Sequence, residues 1–119
     1  MQEKIKISDK LSVPRVLIGL WQIADMEKDG KILDPNITSK YMNIYAENGF
    51  TCFDMADHYG SSEIIAGIFK NNYHNNSDIN LFTKWVPTPG KIDRKLTREA
   101  VLKSLTRLNQ SQIDLMQFH

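Results

Sequence analysis

The period of the apolar positions changes several times along the chain, and the changes mark out elements. KIKIS (4–8) alternates polar and apolar residues, as a half-exposed strand does. Residues 16–20, inside VPRVLIGLW, form a short apolar run that predicts a buried strand. ADMEKDGK (24–31) is polar, contains a glycine and reads as a loop. Asp34-Pro35 predicts a helix start, with aspartate as the N-cap and proline at the first helical position. Ile37, Tyr41, Ile44 and Tyr45 then recur at helical spacing and are expected to form its core face. Asn48-Gly49 predicts the stop.

FTCFDMA (50–56) reads as a second buried strand. Ser62 is expected to cap a second helix with Ile64, Ile65, Ile68 and Phe69 on its inner face. NNYHNNSD (71–78) is loop, and INLFTKW (79–85) predicts a third strand. VPTPGK (86–91) carries two prolines and a glycine, so neither a helix nor a strand continues through it. Thr97 is expected to cap a third helix with Val101, Leu102, Leu105 and Leu108 facing a core. IDLMQFH (113–119) predicts a fourth strand. The order is a strand pair followed by helix–strand three times, which argues an α/β fold with a parallel sheet.

A length of 119 residues suits one compact domain. Composition narrows the function classes. Hydrophobic residues make up 41% and charged residues 24%, which is a globular balance. A net charge of +1 offers no footprint for nucleic acid or an anionic membrane surface. The single cysteine, Cys52, excludes an internal disulfide and a multi-cysteine metal site, and makes a reducing, cytoplasmic setting the simpler expectation. The N-terminus has no apolar signal core, and no apolar run approaches the ~20 residues of a membrane span.

In a parallel α/β sheet, ligands bind at the C-terminal strand ends. Here those ends carry Gly19-Leu20-Trp21-Gln22, then Asp54 with Tyr59 five residues on, then Lys84, then His119. These residue types make a proton-delivery site. A free tyrosine, with its pKa near ~10, is a poor acid at neutral pH, but an ammonium beside a tyrosine favours the phenolate and makes it a usable donor. A carboxylate such as Asp54 would hold Lys84 in place, and His119 could orient a carbonyl oxygen by hydrogen bonding. There is no obvious nucleophile. Proton delivery to oxygen needs a partner reaction at carbon, and a nicotinamide cofactor would supply it.

GFTCFDMADHYGSSEIIAG (49–67) resembles the signature of the aldo-keto reductases, usually Gly-aromatic, then Asp-Thr-Ala, Tyr-Gly, Glu and Gly. LFTKW resembles the family's lysine strand, SQIDLMQFH the strand that ends in its histidine, and GLWQ the turn beside the nicotinamide ribose. The motifs run in family order over nearly the whole chain. The resemblance implies a (β/α)8 TIM barrel and NADPH-dependent reduction of an aldehyde or ketone to an alcohol, with NADH as the less usual donor. It implies Tyr59 as general acid, Lys84 as its activating partner, Asp54 as the anchor of Lys84, and His119 as the carbonyl-orienting group. It places cofactor contacts at Gly19, Leu20, Trp21 and Asp54. Trp21 and Trp85, as strand-end tryptophans, are candidates for a substrate-pocket wall, with core or rim packing the equal alternative. Met55 departs from the usual Thr, Ser or Cys, and Leu20 stands where a threonine often contacts the cofactor.

A barrel of this type takes ~250 residues. The 119 residues here are expected to be its N-terminal part, a β-hairpin and about 3.5 β/α units, without most of the cofactor grip. The implied partner is a small carbonyl substrate, with neither nucleic acid nor membrane; the oligomeric state is open. The rival reading is a non-catalytic binding or regulatory relative, like channel β-subunits, or an inactive truncated fragment. A metal site at Asp57 and His58 is disfavoured, because the three histidines (His58, His74, His119) lie far apart and His74 sits in an Asn-rich loop.

Overall fold

The computed structural model describes residues 2–23 and 33–119. The expected loop 24–31 lies outside the described residues. Strands β1 (Lys4–Ser8) and β2 (Leu11–Pro14) pair as an antiparallel hairpin. A second sheet holds β3 (Ile18–Gly19), β4 (Cys52–Asp54), β5 (Asn80–Trp85) and β6 (Leu115–Phe118) in that spatial order, all parallel. The helical segments between them are α1 (Pro35–Ser39) and α2 (Met42–Glu47), then α3 (Ser62–Asn72), then α4 (Arg94–Leu108). Neighbouring strands are joined through helices, which is what parallel pairing requires. Among the described residues, no helix is long and apolar enough to cross a membrane.

Alternation of side chains along each strand splits the core in two. On the helix-facing side, Phe53 and Met55 beside β4 and Leu81 of β5 pack with Ile65, Ala66 and Phe69 of α3 and with Leu108. Each such large side chain, fully buried, contributes about 1.5–3 kcal/mol. On the other side, Cys52 and Phe82 pack against Val13 of the hairpin, with Leu11 and Leu115 at the margin. The hairpin therefore caps one end of the inner face. It does so through β2, a segment the apolar pattern does not single out. All of β1 is exposed, so the strand pair is 4–8 with 11–14 rather than 4–8 with 16–20.

Several local expectations are corrected by the structure. Asp34 does cap α1, accepting from the Asn36 N–H at 2.9 Å, with Pro35 at the start. The helix then tightens through i→i+3 bonds, Tyr41 N–H to Thr38 at 3.1 Å and Asn43 N–H to Lys40 at 3.2 Å, and restarts as α2. Its buried residues are Thr38, Ser39, Met42 and Ala46. Ile37, Tyr41, Ile44 and Tyr45 are exposed. The small residues let α1 lie close on α3. Helix α3 likewise buries Glu63 and exposes Ile64. Helix α4 is capped four residues before Thr97: Asp93 accepts from the Leu96 N–H at 2.8 Å. It buries Ser104 and Leu108, and Leu102 faces outward. Glycine is required at 67, where α3 meets the end of α4. A Cβ there would lie 2.1 Å from the Leu108 carbonyl oxygen.

These placements predict unequal responses to two substitutions in residues 1–119. Gly67→Ala should lower stability by about 1–3 kcal/mol, because the Leu108 backbone must be displaced. Ile44→Ser, at an exposed position, should change it by about 0.5 kcal/mol or less. Urea unfolding of the two variants checks both; a larger loss for Ile44→Ser would mean that the α2 face is buried as the apolar pattern alone suggests.

Candidate active site

The pairing register sets which residues share the inner face. Asp54 pairs with Phe82, Phe82 with Leu115, and Lys84 with Gln117. Phe82 and Leu115 belong to the inner cluster, so Asp54, level with them, and Lys84 and Gln117, one step nearer the C-terminal strand ends, project on the same side. His119 continues the series. Its N–H donates to the Trp85 carbonyl at 2.9 Å, extending the ladder past β6, and it is two residues beyond Gln117. Its side chain is exposed.

The Lys84 ammonium donates to Asp54 Oδ2 at 2.6 Å and to the Met55 carbonyl at 2.9 Å. Both side chains are mostly enclosed, Lys84 at 16% and Asp54 at 28% exposure. An ammonium in such a place without partners would be costly, and two acceptors offset that cost. The same ammonium stands 5.5 Å from the centre of the Tyr59 ring. Sequence order gave Asp54 as its partner. A backbone acceptor such as the Met55 carbonyl leaves no trace in residue type.

Tyr59 is delivered by the turn after β4. The turn is stitched to β5 before it leaves the sheet: Met55 N–H donates to Phe82 at 2.9 Å and Asp57 N–H to Lys84 at 3.0 Å. The Asp57 carboxylate accepts from the Val86 N–H at 3.3 Å and lies 3.3 Å from His58 Nδ1. Among the described residues, no group of three His, Cys, Asp or Glu side chains is placed to hold a metal ion. The Tyr59 ring is flanked by Trp21 at 4.9 Å and by His58 at 4.9 Å, both edge-on. Trp21 therefore joins the cluster. Trp85 does not: it follows Lys84, presents to the opposite side of the sheet, and packs edge-on against Phe118 at 5.5 Å.

Gly19 pairs with Asp54 in register, and a Cβ built on it would meet nothing within 4 Å. Its bare backbone thus faces open space beside the Asp54–Lys84 pair. Leu20 is anchored by its N–H to the Asp54 carbonyl at 2.9 Å, and its side chain is buried in the helix-side core. Leu20 can offer a ligand backbone only.

Cys52 lies one inner-face position before Asp54. Burial foremost, then the charges of Asp114 and Asp54, push its thiol from 9.0 up to about 12. The buried thiol stays neutral where an unfolded one ionises, so it favours the fold fully below pH 9.0, and this is lost as pH rises toward about 12. Native protein at pH 8 should therefore resist thiol alkylation that goes to completion in denaturant, and stability should fall on the alkaline side less steeply in Cys52→Ala. Rapid native labelling would contradict the enclosed placement.

The model of the Aldo/keto reductase family matches residues 15–119. No curated protein matches the chain. Solved structures do. An aldo-keto reductase from Bacillus halodurans in its apo form aligns at 27% identity with a TM-score of 0.71, over 100% of this chain and 37% of its own. An aldo/keto reductase from Brucella melitensis aligns at 23% with a TM-score of 0.76, over 100% and 41%. An aldo-keto reductase from Klebsiella pneumoniae, in complex with NADPH, aligns at 17% with a TM-score of 0.74, over 100% and 39%. The chain spans less than half the length of each of these.

Proposed function

The chain belongs to the aldo/keto reductase family and carries the N-terminal hairpin and first β/α units of its (β/α)8 barrel, and we propose that it supplies the proton-transfer half of an NADPH-dependent carbonyl reduction site. The observation that carries this reading is one ammonium in two relations at once: Lys84 is bonded to Asp54 at 2.6 Å while it stands 5.5 Å from the Tyr59 ring.

Each residue then has a task. The Tyr59 hydroxyl gives its proton to the substrate carbonyl oxygen. The Lys84 ammonium stabilises the phenolate that remains, because opposite charge at short range favours the ionised form. Asp54 and the Met55 carbonyl hold the ammonium in one place, so no reorganisation is needed as charge develops. His119, on the same face and at the strand end, donates a hydrogen bond that orients the carbonyl. Trp21, edge-on to Tyr59, limits the ring's swing and walls the pocket.

The residues present fit a nicotinamide cofactor on one side. Gly19 leaves backbone and open space beside Asp54, which is where a flat polar ligand can approach closely. Gly19, Leu20 through its backbone, Trp21 and Asp54 would hold the nicotinamide end. When bound, the cofactor supplies hydride to the carbonyl carbon while the proton from Tyr59 completes the alcohol. The NADPH held by the Klebsiella pneumoniae neighbour supports the choice of cofactor.

Tyr59→Phe is the test. In an active preparation it should lower kcat for NADPH-dependent aldehyde reduction by about 10²–10⁴, as expected on losing a general acid. NADPH binding, followed by nicotinamide fluorescence, should be unchanged. Turnover retained in this variant would show that the proton comes from elsewhere.

A further inference from the structure

Thr83 precedes Lys84 on β5 and points to the opposite, helix-facing side, fully buried. Its hydroxyl donates to Glu63 Oε2 at 2.9 Å. The Glu63 side chain has 0% exposure, on the first turn of α3. Its other oxygen faces Arg107 Nε of α4 at 3.1 Å. Arg107 Nη2 in turn donates to the carbonyl of Gly60. Gly60 is the residue after Tyr59 and has φ of 49°, the left-handed region that favours glycine.

The four groups form one path, from the residue before Lys84 to the residue after Tyr59. Its cost is plain. A fully enclosed carboxylate needs its cation, and a well-packed apolar pair of the same volume is often as stable or more so. Packing alone therefore gives no reason for charge at 63 and 107. The branch does: arginine faces the carboxylate with Nε and donates to the carbonyl with Nη2, two nitrogens held apart in a rigid fork, where a lysine has a single nitrogen for both.

We propose that Glu63 and Arg107 are positioning residues for Tyr59, holding the turn that carries it at a fixed place over the strand that carries Lys84. The inference rests on the reading above that Lys84 acts on Tyr59, and it assigns the alignment of the two to a network on the other side of the sheet. Neither residue touches the reacting atoms.

The protein labelled with ¹³Cζ-tyrosine tests it. The chain has 4 tyrosines, and Tyr59→Phe assigns the resonance wanted. Lys84→Met should displace the Tyr59 signal in the native background. Arg107→Lys keeps a cation toward Glu63 but gives up the Gly60 branch, and in that background the displacement by Lys84→Met should fall by about half or more, as a lost coupling does. Thr83→Val removes one bond of the path with little change of volume and should reduce the displacement less. Equal displacement in native and Arg107→Lys backgrounds would overturn the positioning role. No displacement in the native background would instead overturn the underlying action of Lys84 on Tyr59. Were Arg107→Lys to lose the fold, Thr83→Val alone decides: displacement unchanged from native counts against the network.

Discussion

A lysine ammonium on the inner face of a sheet must find negative charge or leave. In this molecule it stays, because the strand beside it ends in a carboxylate. The 2.6 Å contact between Lys84 and Asp54 is possible only because β4 and β5 run parallel, with Asp54 opposite Phe82 and Lys84 one inner-face step further on. A slip of one residue in that register would send Lys84 into the apolar layer under α3 and bring Thr83 inward. The hydrophobic core and the polar site are therefore the same constraint seen on two sides. Phe53, Leu81 and Thr83 are held outward by α3, and this is what holds Asp54 and Lys84 inward.

The inner face is graded along the strands. Val13, Cys52 and Phe82 make an apolar base sealed by the hairpin. Along the same face it turns polar, with Asp54 level with Phe82, Lys84 and Gln117 paired one step further on, and His119 at the end of the ladder. A charged group placed just above an apolar floor is screened less by water, so an ammonium there has a longer electrostatic reach than one on a surface. The turn 55–60 connects the two levels. It continues the ladder on β5 through Met55 and Asp57 and then lifts Tyr59 into contact with Trp21. The Glu63–Arg107 path fixes the far end of that turn from behind the sheet.

What the sequence made legible follows from where the information is local. Strands β4 and β5, the proline-glycine break after Trp85, and the ordered set Asp54, Tyr59, Lys84 and His119 are all carried by short motifs, and residue type announces them. Helix faces were less legible. The apolar residues Ile37, Tyr41, Ile44 and Tyr45 outweigh Thr38 and Ser39 in any count of hydrophobicity, yet the close approach of α1 to α3 selects the small ones. Thr97 looked like a cap because it precedes the apolar stretch of α4, whereas Asp93 takes that role one turn earlier. Glu63 stands in the family-like motif, but its residue type names no partner. Its partner is 44 positions away on another helix, and no local pattern joins Glu63 to Arg107. Trp21 and Trp85 looked equivalent as strand-end aromatics; side-chain parity separates them.

The central claim is that Lys84 works through Tyr59 rather than beside it, and a double-mutant cycle on kcat reads that directly. Aldehyde reduction is measured in an active preparation carrying Lys84→Met, Tyr59→Phe, or both. Groups that act as one unit are strongly non-additive. The account predicts that adding Lys84→Met to Tyr59→Phe slows the enzyme no further. Two losses that multiply in full would show that the ammonium and the phenol act independently, and would contradict it.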